Sequence, residues 1–153
     1  MNTEKLEVAA SKVALGLLLS EQFADVAVHA LKDGCDSPSL RVLAGLTAAE
    51  ADEARCLFDR ALAELNVDAP NKRDAVMRLA RETAQEILHG AMAPHAGAKQ
   101  IWELTLRIPG ENLPKLDAFV YAASEWEDRP ENRQVFEDGI VAAARQLVSI
   151  RRV

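Results

Sequence analysis

Residues 47–65 read TAAEADEARCLFDRALAEL, and this stretch decides the fold class. Its apolar positions Ala54, Leu57, Phe58, Ala61, Leu62 and Leu65 recur at intervals of three and four residues. That spacing gathers them on one face of a helix, whereas a strand would divide them between its two sides. The stretch also carries its own start signal. Thr47 followed by Glu50 is a capping box, in which the hydroxyl takes the Glu50 amide and the carboxylate reaches back.

The same period returns on both sides. Toward the N-terminus a helix is expected from about Glu4 to Leu19, apolar at Leu6, Ala9, Ala10, Val13, Leu17 and Leu18. Ser20 would cap a second helix that buries Phe23, Val26, Ala27, Ala30 and Leu31. Asp33-Gly34 closes it, since glycine readily takes the positive φ of a helix C-terminus. Ser37-Pro38 opens a short helix, because proline at the first helical position loses no hydrogen bond. Gly45 interrupts it.

Toward the C-terminus, residues 66–70 form a turn. An amphipathic run follows with Val76, Leu79, Ala80, Ala84, Ile87 and Leu88 on its apolar stripe, ending at Gly90. A helix over 96–106 carries Ile101 and Trp102 and stops before the turn dipeptide Pro109-Gly110. The next spans 113–127 with Leu116, Phe119, Val120, Ala123 and Trp126 aligned. The last starts around Pro130 and buries Val135, Phe136, Ile140, Ala143, Leu147 and Ile150. Only residues 104–108 have a weak strand-like look. These readings predict an all-α protein, a single compact bundle of about seven to eight helices forming one domain over residues 1–153.

Composition points the same way. The 153 residues are 49% hydrophobic but only 5% aromatic. Much of the apolar content is alanine and leucine, strong helix formers that let helices approach closely. The net charge of −6 excludes nucleic acid as the default partner, because phosphate binding needs a clustered basic surface. Arg145, Arg151 and Arg152 form the only local basic excess, and cations at a helix C-terminus complement its exposed carbonyls. No apolar run approaches the ~20 residues of a membrane span, and the start of the chain has no basic signal-peptide region. Cys35 and Cys56 are too few for a secreted disulfide framework. A cytoplasmic location is expected.

Catalytic constellations are sparse. Glu86 and His89 have the Glu-x-x-His spacing of di-iron bundles, but there is one such pair, on the polar side of its helix. Glu50 and Glu53, with Glu125 and Asp128, invite comparison with magnesium-dependent nucleotide pyrophosphohydrolases, yet the pairs lie more than seventy residues apart. Cys35 sits between Asp33 and Asp36, whose charges should raise its pKa. Cys56 falls opposite the apolar stripe of its helix, where a second layer of helices is expected to cover it; the alternative is an exposed reactive thiol. There is no P-loop, dinucleotide fingerprint or nucleophile elbow. No catalytic residue, metal or cofactor is assigned.

The most distinctive region runs from Glu103 to Asp138, where nine carboxylates face four basic residues, a net charge of −5. Within it Tyr121 lies on the polar side of its helix, beside Asp117, Ser124 and Glu125. An exposed tyrosine flanked by acids has the composition of an interaction anchor, with rigid apolar area, a polar tip and charges that steer a basic partner.

Two blocks carry a resemblance. Residues 33–46 (DGCDSPSLRVLAGL) and residues 97–102 (GAKQIW), the latter followed by Ala123-Ser124-Glu125-Trp126, resemble segments of small, uncharacterised, all-helical bacterial proteins. The resemblance implies a bacterial, helical, cytoplasmic protein and adds no catalytic residue. The small acidic helical format is also similar to that of immunity proteins and antitoxins. The leading expectation is a non-enzymatic protein-protein interaction module using Asp117, Tyr121, Glu125 and Asp128 against a basic protein partner. The alternative is a small-molecule or metal-dependent enzyme with an acidic pocket between helices. A third reading is a homodimer joined through Val28, Val141 and Val148. Neither nucleic acid nor a membrane is expected as a partner.

Overall fold

The computed structural model describes residues 1–150, and Arg151 and Arg152 of the basic C-terminal group lie outside the described residues. The protein is all-α. Its helices are α1 (Glu4–Ala14), α2 (Phe23–Lys32), α3 (Pro38–Ala44), α4 (Ala54–Glu64), α5 (Lys72–Leu88), α6 (Pro94–Thr105), α7 (Asp117–Glu125) and α8 (Arg133–Ser149). Among the described residues none is in a strand, and residues 104–108 are the end of α6 and the turn after it. No helix among them is long and apolar enough to cross a membrane. Contacts group the chain into two compact units, Met1–Ala75 and Val76–Val153, with the boundary inside α5.

In the first unit α2 packs on α1, α3 and α4, and α3 packs on α4. Its core holds Leu6, Phe23, Ala27, Ala30, Leu40, Leu43, Phe58, Ala61 and Leu62. Phe23 and Phe58 meet edge to face at 5.2 Å. Phe58 is fully buried, which contributes about 1.5–3 kcal/mol over leaving it in water.

The expected first helix is cut short. It ends at Ala14, and Gly16 at φ +70° turns the chain, so Leu17 and Leu18 are only half-buried and Leu19 is 59% exposed. Ser20 does not cap α2. Residues Ser20–Gln22 form a 3₁₀ turn, and the Gln22 side chain accepts from the Leu19 amide at 2.8 Å. Ser37 does cap α3, its hydroxyl accepting from the Leu40 amide at 3.1 Å.

A second partner strengthens that helix start. The Glu64 carboxylate, at the end of α4, accepts from the Ser39 amide at 3.0 Å and its hydroxyl at 2.7 Å. These bonds hold Glu64 below the usual carboxylate range. The Asp33–Ser39 block is thus a structural junction. Asp36 pairs with the fork of Arg41, and the Cys35 thiol donates to the Asn2 carbonyl at 3.0 Å. Cys35 does titrate high, but burial is the main cause and the Asp33 charge a lesser one.

The reach-back of the Thr47 capping box is present, Glu50 accepting from the Thr47 amide and hydroxyl at 3.2 and 2.8 Å. The Glu50 amide, however, bonds the Thr47 carbonyl at 2.9 Å. That bond belongs to a 3₁₀ segment, Ala48–Glu53, which precedes α4. Cys56 is exposed, so no second layer of helices covers it.

In the second unit α6, α7 and α8 pack pairwise. Gly97 of α6 lets that helix approach Ile87 of α5 so closely that a Cβ would sit 2.4 Å from the Ile87 Cδ1. The expected stripe of α7 is largely buried: Leu116 and Phe119 are fully enclosed and Ala123 nearly so. On α8 Phe136, Ile140, Ala144 and Leu147 are buried, but Val135 is 68% exposed. Val135 precedes Phe136 by one residue, about 100° around the axis, and so falls off the stripe that Phe136, Ile140 and Leu147 share.

Candidate functional site

Asp117, Tyr121 and Glu125 fall four residues apart on α7, and successive members rotate by only about 40° around the axis. Asp128 lies beyond the helix end, yet the Arg129 amide still bonds the Glu125 carbonyl at 3.0 Å. The turn therefore keeps nearly helical winding, and Asp128, seven residues after Tyr121, returns to the same side. The structure brings the four sequence-selected residues to one face.

Each has a defined setting. Asp117 is the first residue of α7, where a negative charge is favoured by the exposed amides, and it is exposed. Tyr121 is 54% exposed, and its ring meets the buried Phe136 of α8 edge-on at 6.0 Å. That contact braces the ring while the residue stays more than half exposed. Ser124 turns its hydroxyl back to the Tyr121 carbonyl at 2.9 Å. Glu125 is half-buried and pairs with Arg129 at 3.1 Å, so part of its charge is already answered. Asp128 is exposed.

Charge on this unit is segregated more than it is large. Residues 76–153 carry eleven acidic and ten basic side chains, while residues 1–75 carry thirteen and eight. The net acidity of the chain is thus mainly in the first unit. In the second, the excess between Glu103 and Asp138 is offset by basic residues on either side of it in the sequence.

Sequence reasoning missed a polar-aromatic cluster beside this face. Trp126, expected to line up with the core residues of α7, is only half-buried. His95 of α6 stacks on its indole, centroids 4.2 Å apart and planes 7° from parallel. Arg133 of α8 sits 5.2 Å from the same ring, donates Nε–H to the Trp126 carbonyl at 3.2 Å and reaches Glu127 at 3.4 Å. Burial holds the His95 pKa below its usual value, against a smaller upward pull from Glu127. The only sequence signal was the aromatic side chain at Trp126; nothing in periodicity pairs it with a residue thirty-one positions earlier.

Glu86 and His89 are both exposed, and Val28, Val141 and Val148 are half-buried. No group of three or more His, Cys, Asp or Glu side chains suited to a metal ion occurs among the described residues. In the first unit a groove of about 250 Å³ runs over Val13, Ala14 and Leu62 with Arg55, Asp59 and Lys72 at its rim. Comparison with known proteins finds no matching family, curated relative or solved structure.

Proposed function

We propose that the protein is a non-enzymatic interaction module, of the immunity or antitoxin kind, whose acidic face on α7 receives a basic protein partner. The observation that carries the reading is Tyr121, a large aromatic side chain 54% exposed amid Asp117, Glu125 and Asp128. A half-exposed tyrosine braced by a neighbouring ring offers contact area at little cost in conformational freedom. The surrounding carboxylates would speed encounter with a cationic surface. The enzyme alternative needs carboxylates converging inside a pocket, whereas Asp117 and Asp128 stand exposed.

The test begins with the immobilised full chain, which should retain a basic protein at low salt and release it as salt rises. Against that partner, Tyr121→Ala should cost more than ~1 kcal/mol of affinity. Reversing the charges of Glu125 and Asp128 should slow association and flatten its salt dependence. Unchanged affinity in both variants would rule the reading out.

A further inference from the structure

The turn at residues 126–128 is held from two sides by groups that answer protons differently. Arg133 holds it to α8 through the Trp126 carbonyl and Glu127, and a guanidinium keeps its charge at any ordinary pH. His95 holds it to α6 through the stacked rings, and an imidazole changes charge near neutrality.

The surroundings of His95 suit the neutral ring. Its Nδ1 is buried with no hydrogen-bond partner, which a neutral imidazole tolerates by keeping its proton on Nε2. A second proton would make Nδ1 a buried cationic donor without an acceptor. His95 is also the second residue of α6, at the positive end of that helix. The charged groups that face it are Lys99 on α6, Glu127 on the turn, and Arg133 and Glu137 on α8. The two carboxylates favour an imidazolium, and the indole face attracts cations in general. Arg133 already lies against that indole, and with Lys99 and the burial of the ring it outweighs them.

We infer that the His95–Trp126 stack is a pH-sensitive latch, in which neutral His95 clamps the 126–128 turn to α6 and protonation releases it. Arg133 then keeps the freed turn tethered to α8. The latch stands whether or not α7 binds a partner.

NMR titration of the full chain from about pH 7.5 to about pH 5 tests it. His95 should titrate below the ordinary 6.5, and the Trp126 indole resonance should move with the same midpoint. Hydrogen-exchange protection at residues 127–129, corrected for the intrinsic pH dependence of exchange, should fall several-fold across that midpoint. His95→Phe keeps a ring for stacking but cannot take a proton, and should abolish both responses. A His95 midpoint at or above 6.5, or protection unchanged through the titration, would overturn the latch. So would a wild-type response in His95→Phe. If that variant does not fold, the wild-type titration decides alone.

Discussion

Gly97 is where one missing methyl group sets the distance between two helices. A Cβ there would lie 2.4 and 2.6 Å from the Ile87 Cδ1 and Cγ1, so Ile87, itself 6% exposed, would have to move. Overpacking of this kind costs ~1–3 kcal/mol, while alanine gains about 0.8–1 kcal/mol over glycine in helix propensity. Gly97→Ala should therefore lower unfolding stability by about 1 kcal/mol, and adding Ile87→Val, which removes Cδ1, should recover part of the loss in urea denaturation. The sequence offered no warning of this contact, since a helical glycine reads only as a weak position. It was equally silent on His95 and Trp126, whose stacking depends on where the turn after α7 meets the start of α6. Cys56 was read correctly as lying off the apolar stripe, but the inference that something covers it was wrong. A polar helix side needs no cover, and the neighbouring Arg55–Asp59 pair at 3.2 Å shows how this one is solvated.

Helix starts were legible, their first turns less so. Phe23, Ala54, Asp117 and Arg133 each begin an α-helix that follows a 3₁₀ turn, so the start signals at Ser20, Thr47 and Pro130, and the start read at residue 113, mark those turns. Inside α8 the period holds for Phe136, Ile140 and Leu147, and Val135, about 100° from Phe136, stands off that stripe in solvent. Where no such turn intervenes, as at Ser37-Pro38, the cap lies where the sequence put it. Ser37→Ala should cost α3 about 1 kcal/mol, read as a lower denaturation midpoint. The loss should be partly cushioned because Glu64 still holds the Ser39 amide. On α7 the grouping of Asp117, Tyr121 and Glu125 was readable because four-residue spacing alone places side chains together. That Tyr121 is exposed was not settled by spacing, since a second helix could have covered it; Phe136 of α8 meets the ring, yet the residue stays 54% exposed.

Acid should act on the two units in different pH ranges. His95, in the second unit, has a folded pKa below its ordinary 6.5. Its contribution is therefore complete above that value and is lost as pH falls through the folded pKa. Asp36 and Glu64, in the first unit, are likewise depressed, by the Arg41 and Ser39 hydrogen bonds respectively, from ordinary values of 3.8 and 4.5. Their contributions persist to lower pH and fade only below those values. Thermal unfolding followed during acidification should thus show the second unit weakening first; simultaneous loss of both would contradict this ordering. The chain already carries the means to watch each unit separately. Both indoles, Trp102 and Trp126, belong to the second unit, so intrinsic fluorescence reports on it alone. Of the two thiols, both in the first unit, Cys35 is 1% exposed and engaged with Asn2, whereas Cys56 is open to solvent. A maleimide dye would settle on Cys56, giving the first unit its own colour without a single substitution.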